Sequence, residues 1–442
     1  MVRRLLMAGL CTALSTTSLY AQEPYNVAVR VEQLARIFAD LYGPGGLAVD
    51  STATLAGGQS HSGHFNGGFV TAFSQFGTAL TSQLVSLPYP TPASGFTYQF
   101  DSALGVFTRT TNNFGPILSD RAETIGARRL SLGLVTQRLE FDAIEGLDLQ
   151  RVPAVFTHDL AELRGGREDV ITTMNSVEAT VTRSTAFLSY GVTNRFDISV
   201  AVPIVTTDLL VTSRATIRRL GTTEPQIHFF RMMDDSAGDE RIFTAFGRAT
   251  GIGDINIRDK GTLRRTPYMG LAIGVDVKLP TGDEMNLLGT GSTAVQPYAV
   301  WSASLGPFSP HVNAGYRWNG TSVLAGEPGS GKAGDLSDVA VYNAGGALEV
   351  HPRVTLALDV LGLVALDSPR LARQTFRGLD AAQTPLPDIG FSRRTLHELS
   401  AATGVKVNIA GRLLVNANLL FRLNADGLRD KVSPLLGIEY AF

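Results

Sequence analysis

The chain is poor in the residues that most often carry chemistry. It has one cysteine, Cys11, among 442 residues. A lone cysteine excludes a disulfide framework and a cysteine-based metal site. If the N-terminal segment is removed on export, no thiol nucleophile remains either. Charge of one sign is also missing: 38 Lys and Arg face 40 Asp and Glu, a net charge of -2 that offers nucleic acid no basic surface. Beyond the first residues no apolar run is long enough for a transmembrane helix.

The seven histidines are scattered. His61 and His64 have a metal-like spacing, but no cysteine or third ligand accompanies them. A hydrolase needs a serine and a histidine oriented by a third group, and no serine motif is attached to His311 or His397. Gly253, Gly289 and Gly291 do not precede helices, so no nucleotide cradle is expected. Neither metal nor cofactor is expected.

What is present is apolar sequence without apolar runs. Hydrophobic residues make up 44% of the chain and glycine is abundant, at 46 residues. A spanning protein without spanning helices must be a closed barrel, because lipid cannot satisfy an open sheet edge. The beginning, MVRRLLMAGLCTALSTTSLYAQ, has the layout of a secretory signal: Arg3 and Arg4, a short apolar stretch, then small residues to Ala21. Residues 1–21 are expected to be removed.

Period-two alternation recurs along the chain. In the final stretch Leu436, Ile438, Tyr440 and Phe442 fall on one face, and Gly437, Glu439 and Ala441 on the other. Met269, Leu271, Ile273, Val275, Val277 and Leu279 likewise oppose Gly270, Ala272, Gly274, Asp276 and Lys278. Similar patterns run through 311–319, 397–408 and 412–424. Runs of about ten residues suit a tilted membrane strand, and aromatics such as Tyr268, Tyr316, Trp318, Tyr440 and Phe442 near strand ends suit a girdle at the headgroups.

Short and long connections alternate. Tight turns are expected near 191–195, 262–266, 306–309, 351–353 and 409–411. Longer loops are expected over 143–171, 219–251, 281–292, 320–337 and 367–395, with a short one near 425–430. The predicted fold is an all-β antiparallel up-and-down transmembrane barrel over 98–442, of about twelve strands, with fourteen as the alternative. A possible strand at 98–110 is assigned to the N-terminal part. Residues 22–97 differ: Val31, Leu34, Ile37, Phe38 and Leu41 have helical spacing, and 69–85 reads similarly. They predict a small helical plug or cap.

Three segments carry a resemblance: GIGDINIRDKGTLRR at 251–265, GLAIGVDVKLPTGDEMNLLGTGSTAVQPY at 270–298 and HVNAGYRWNG at 311–320. With NFGPILSDRAETIGARRLSLG at 113–133, similar to a barrel entrance, they resemble outer-membrane barrels assigned to transport in a phenol-degradation (meta-cleavage) pathway. The resemblance covers roughly 98–442 and is most specific in the LPTGD…GTGS segment. It implies a barrel related to fatty-acid and aromatic-hydrocarbon channels.

The inward-facing candidates are Asp276, Lys278, Asn313, Arg317, Asp359, Glu398, Lys406, Asn418, Arg422 and Glu439. Their mixed signs fit either a polar conduit or a ladder of structural ion pairs. Pro280 should end a strand, Gly282 should allow a sharp turn and Asp283 should cap its own backbone at the rim. Tyr440 and Phe442 resemble a signal read by the barrel-assembly machinery.

The expected function is passive uptake of small hydrophobic or aromatic molecules across the outer membrane of a Gram-negative bacterium, with no enzymatic step. The expected partners are outer-membrane lipid, the assembly machinery and a small apolar solute, and the sequence leaves the oligomeric state open. A structural or adhesive barrel with a closed lumen is the alternative. Its supporting feature is the 219–250 loop, where Phe229, Phe230, Met232 and Met233 stand beside Asp234 and Asp235. A lipid hydrolase is a third possibility.

Overall fold

A computed structural model of the chain describes residues 26–42, 96–101, 106–109, 113–157, 169–221, 228–328, 330–378 and 380–442, with Thr111 and isolated positions between 47 and 83. The expected signal segment, His61, His64 and most of 69–85 lie outside the described residues.

Twelve long strands follow one another: β1 Leu130–Phe141, β2 Val170–Gly191, β3 Phe196–Arg218, β4 Ile255–Arg265, β5 Met269–Leu279 and β6 Ala294–Ala303. Then come β7 Phe308–Asn319, β8 Val339–His351, β9 Val354–Arg377, β10 Pro385–Ala410, β11 Leu413–Arg422 and β12 Val432–Ala441. Each pairs antiparallel with the next. The ring closes where β12 meets β1, with Leu435 opposite Gln137 and Ala441 opposite Ser131. Closure leaves no sheet edge around the ring, as a lipid surrounding demands.

The alternation determines which face goes where. On β12, Leu436, Ile438, Tyr440 and Phe442 are 62%, 45%, 42% and 46% exposed, while Leu435 and Ala441 are buried. The apolar face therefore points outward. Leu132, Leu134, Leu271, Ile273, Leu356 and Leu358 continue the outer band around the barrel. Tyr190, Phe196, Tyr268, Trp301, Phe308, Tyr440 and Phe442 ring the short-turn end, and Trp318 and Tyr342 stand at the upper edge. From Phe308 to Trp318 is about ten residues. At ~3.3 Å each and a tilt near 40° they rise about 25 Å, the height of a lipid-facing band.

At the other end several expected loops prove to hold paired strands. Glu240–Ile252 continues the line of β4 upward and pairs with the upper half of β3. β9 and β10 stay paired as far as Arg377 and Pro385, so the 367–395 connection is a long hairpin. The period-two signal fades there for a physical reason. Above the lipid both faces meet water, and Arg370, Arg373, Gln374, Arg393 and Arg394 replace the apolar half of the pattern. The segment Tyr98–Asp101 pairs with Val106–Arg109 as a small separate hairpin and adds nothing to the strand count of the barrel.

The N-terminal part sits at this long-loop end. Asn26–Arg30 adds in parallel to Glu240–Ile252, and a 3-10 turn, Leu34–Arg36, leads into a short helix, Ile37–Asp40. Leu34, Ile37, Phe38 and Leu41 are buried together, as their helical spacing required. Phe76 meets Phe38 edge-on at 5.0 Å. The same cluster takes in Phe141, Ile144, Phe156, Leu209, Val211 and Phe243 from the barrel, so these residues pack against its rim at the long-loop end.

Candidate functional site: a plugged lumen and its cavity

Residues 113–125, the expected barrel entrance, cross the lumen near the short-turn end and are buried throughout. An irregular segment in a barrel interior must find partners for its backbone groups, and lumen side chains supply them. Phe114 N donates to Thr355 Oγ1 at 3.0 Å, Ala122 N to Ser302 Oγ at 3.0 Å and Ile125 N to Asp197 Oδ2 at 2.8 Å. Asn313 grips Asp120 twice, accepting from its N–H at 2.6 Å and donating to its carbonyl at 3.0 Å. Lys406 Nζ donates to Phe114 O at 3.1 Å, and Thr262 Oγ1 to Ala122 O at 2.6 Å. The segment is a plug fixed to β3, β4, β6, β7, β9 and β10.

Its charged anchor is Asp120. Lys260 Nζ lies 3.0 Å from Asp120 Oδ1, and Arg258 Nη1 lies 3.4 Å from Oδ2. Arg258 also makes a fork to Asp276 across the β4–β5 pair, with both contacts at 2.5 Å. Plug and wall thus share one ion-pair network.

Glycines let the plug leave the wall. Gly126 has φ +101°, and a Cβ there would lie 2.2 Å from Tyr98 O. A Cβ on Gly191 would lie 1.7 Å from Gly126 O. Both positions therefore require glycine.

Above the plug lies a cavity of about 170 Å³. Leu118 of the plug is part of its lining. Every side chain that β4 to β7 contribute to it is polar: Asn256, Arg258, Asp276, Gln296 and Arg317. The arc from β8 round to β1 contributes Val341, Leu361, Leu363, Leu420, Leu139 and Phe141, interspersed with polar groups such as Glu398, Ser400 and Arg422.

The ten inward candidates divide by neighbour. Asp276, Arg317, Glu398 and Arg422 line the cavity. Arg317 Nε donates to Gln296 Oε1 at 2.9 Å, Arg422 pairs with Asp142 at 2.6 Å, and Glu398 lies 3.6 Å from Arg429. Asn313, Asp359 and Lys406 instead bind the plug. Lys278 and Asn418 are buried on the inner face, and Glu439 accepts from Ser131 at 2.9 Å.

At the rim, Asp283 accepts from Asn286 N at 3.2 Å, a turn of its own making. Gly282 lies at a bend just after β5, where its Cβ would lie 2.7 Å from Gly289 Cα. Pro280 ends β5, and the 280–293 loop folds over the break between Ile252 and Ile255. There fully buried Asp254 accepts from Gly282 N at 3.1 Å and Thr290 N at 2.7 Å. Tyr440 and Phe442 point outward and stack edge-on at 4.8 Å.

Sequence reading missed Asp120, Asp197, Asp254, Arg258 and Lys260. A signal existed for two of them. Asn256, Arg258, Lys260 and Thr262 alternate as an all-polar face of β4, the parity already used on other strands. Plug residues carry no such pattern, since an irregular segment has no period.

Among the described residues the histidines do not form a hydrolytic pair. His311 Nε2 and Ser119 Oγ both contact Asp359 Oδ1, at 2.5 and 2.9 Å, which puts the carboxylate between serine and imidazole. A nucleophile needs the imidazole beside its hydroxyl. His228 contacts Asp169 at 2.8 Å with both side chains fully buried, and His397 faces outward against Tyr342 Oη at 2.6 Å. In the cap, hydrogen bonds from Arg231 pull the Asp50 carboxyl from its ordinary 3.8 to about 2.

Comparison with solved structures places an outer-membrane channel from Pseudomonas putida F1 beside this chain at 13% identity and a TM-score of 0.43, covering 73% of this chain and 98% of that one. The NanC porin matches at 8% identity and a TM-score of 0.32, covering 69% and 98%. A toluene transporter from Ralstonia pickettii, TbuX, matches at 12% identity and a TM-score of 0.30, covering 72% and 90%. No protein-family model and no curated protein matches the chain, so the phenol-pathway resemblance gains no confirmation from them. The fold itself is a closed antiparallel barrel of twelve strands with its own residues 113–125 lying across the lumen.

Proposed function

We propose that this protein is an outer-membrane barrel of a Gram-negative bacterium that mediates passive uptake of small hydrophobic or aromatic molecules. The observation that carries the reading is the cavity of about 170 Å³ above the plug, bordered by Leu118 and lined on one arc by aliphatic and phenyl side chains among polar ones. It lies inside a barrel whose outer face is apolar at membrane height. An apolar cavity of roughly 150 Å³ holds one benzene, so the size suits a single ring. No bond is made or broken. The solute enters past the cap, rests in the cavity and leaves when the plug shifts. In this reading the N-terminal segment directs export, and Tyr440 and Phe442 present the outward aromatic signal to the assembly machinery.

The test is the initial rate at which a labelled monoaromatic accumulates in a Gram-negative host with intact lipopolysaccharide, with and without the protein. The expected result is a several-fold faster rate with it. Equal rates would sink the proposal.

Closure of the lumen by plug and cap favours a second reading, a structural or adhesive barrel. In its supporting loop, however, Phe229 and Phe230 are buried, while Met233 is 82% exposed. Under that reading, deleting 229–238 would abolish surface binding and leave accumulation rates unchanged.

A further inference from the structure

The two ends of the barrel treat their arginines differently. Toward the long-loop end, four exposed arginines are matched by carboxylates. Arg138 meets Glu140 at 2.7 Å, Arg214 meets Glu240 at 3.2 Å, Arg248 meets Asp208 at 3.5 Å and Arg393 meets Asp367 at 2.9 Å. At the short-turn end Arg128, Arg195, Arg264, Arg353 and Arg412 are exposed, and none of them pairs with a carboxylate among the described residues. The sequence gives the reason. The segments at that end, 126–130, 191–196, 262–269, 303–309, 350–354 and 409–413, hold no aspartate or glutamate. Glu349 and Glu439, a few residues away along the chain, are half-buried, and Glu439 accepts from Ser131.

Backbone hydrogen bonds set these arginines side by side. Arg128 N donates to Gly191 O at 2.6 Å, which ties the entry of β1 to the β2–β3 turn that carries Arg195. Asn408 N donates to Arg353 O at 2.8 Å and Ala441 N to Arg412 O at 3.2 Å, which tie the β8–β9 and β10–β11 turns to each other and to the end of β12. Neighbouring turns are two strand spacings apart, about 10 Å. Like charges so placed repel, and an anion between them relieves the repulsion.

The level of the ring selects the anion. Arg195 immediately precedes Phe196, Arg264 stands four residues before Tyr268, and Arg412 bonds at Ala441, between Tyr440 and Phe442. These aromatics belong to the girdle, and a girdle lies at headgroup depth. An arginine stem lies along apolar surface and carries its guanidinium just past it, among phosphates. Guanidinium binds phosphate by forked, charge-assisted hydrogen bonds. A zwitterionic headgroup brings an ammonium with its phosphate, which the arginines repel. A soluble acidic protein would have to displace the headgroups to reach the same depth.

We infer that the short-turn end is a docking surface for anionic phospholipid of the periplasmic leaflet, with phosphatidylglycerol-type headgroups held between arginines of adjacent turns.

The experiment is native mass spectrometry of the detergent-purified full chain mixed with equal amounts of phosphatidylglycerol and phosphatidylcholine of the same acyl chains. Wild type should carry phosphatidylglycerol at least tenfold more often than phosphatidylcholine, and the excess should shrink as salt is raised. R195Q, R264Q, R353Q and R412Q combined should lower that preference at least fivefold, and lysine at the same four positions should keep most of it. R138Q, R214Q and R248Q combined, toward the opposite end, should leave it unchanged. Folding is checked by heat-modifiable electrophoretic migration. If the fourfold glutamine variant does not fold, R353Q with R412Q should still lower the preference at least twofold. Equal binding of the two lipids by wild type would overturn the inference; retention of wild type, but not of the fourfold variant, on immobilised poly-glutamate would then assign the surface to an acidic protein. A preference unchanged by the turn variants, or lost equally in the opposite-end variant, would overturn it as an effect of overall charge. Displacement of phosphatidylglycerol by excess inorganic phosphate would also overturn it, as a site for free anions.

Discussion

Lys260 reaches from the barrel wall to Asp120 in the middle of the plug, Nζ to Oδ1, at 3.0 Å. The pair is almost fully buried, with side-chain exposures of 9% and 5%. Removing one partner of a buried pair leaves an uncompensated charge and costs about 3–5 kcal/mol. Asp120→Ala would take from Lys260 its paired carboxylate and from Arg258 one of its two, leaving Arg258 on Asp276. Amide hydrogen exchange across 113–125 should then accelerate by orders of magnitude, while strand amides of β5 to β9 keep their protection. A double variant, D120A with K260A, should lose less than the sum of the two single changes, because the residues share one interaction.

Gly191→Ala tests how the plug leaves the wall. A Cβ there would fall 1.7 Å from Gly126 O, on backbone that cannot swing aside. The variant should refold poorly and lose the compact electrophoretic form of the barrel at a temperature several degrees lower. Gly306→Ala is the control: its φ of +65° is strained for alanine, yet no atom lies within 4 Å of the added methyl. Its effect should stay near 1 kcal/mol, the scale of left-handed strain alone.

Acid should loosen the cap before the barrel. The Asp50 carboxyl stands at about 2 when bonded by Arg231 and at its ordinary 3.8 when released. A carboxyl depressed by folding contributes its full stabilisation above the released value, and the contribution is lost as pH falls toward the bonded one. Protease sensitivity of residues 26–52 should therefore be flat above about pH 4 and rise between about pH 4 and 2. Arg231→Gln should make it high and nearly flat across that range.

Leu358→Arg tests the outward face. Leu358 is 59% exposed, a few residues up from the turn at 352–353. Arginine in the lipid-facing band costs about 2–4 kcal/mol near the midplane. Folding into vesicles should weaken by that amount, whereas Leu358→Phe should fold as wild type.

These tests separate what the sequence displayed from what it concealed. The barrel was legible because lipid on one side and lumen on the other force period two on every wall strand. Leu436, Ile438, Tyr440 and Phe442 show it as plainly in the sequence as in the fold. Inward parity likewise nominated Asp276, Arg317 and Asp359. The reach of β9 and β10 beyond the membrane was not legible, since water on both faces erases the pattern at Arg370 and Arg393. The plug was hidden for a related reason. Residues 113–125 satisfy their backbone through contacts with residues as distant as Thr355 and Lys406, and no local period records such contacts. Gly282 shows a third limit: sequence signals that a glycine is needed, but not whether for φ or for the approach of Gly289.

The central claim is that residues 113–125 close the lumen. Single-channel conductance of the refolded protein in a planar bilayer tests it most directly, with wild type beside D120A. Wild type should be silent apart from rare brief openings, and D120A should show frequent ones. A steady ohmic conductance from wild type, unchanged in D120A, would contradict the account and make the barrel an open, water-filled pore.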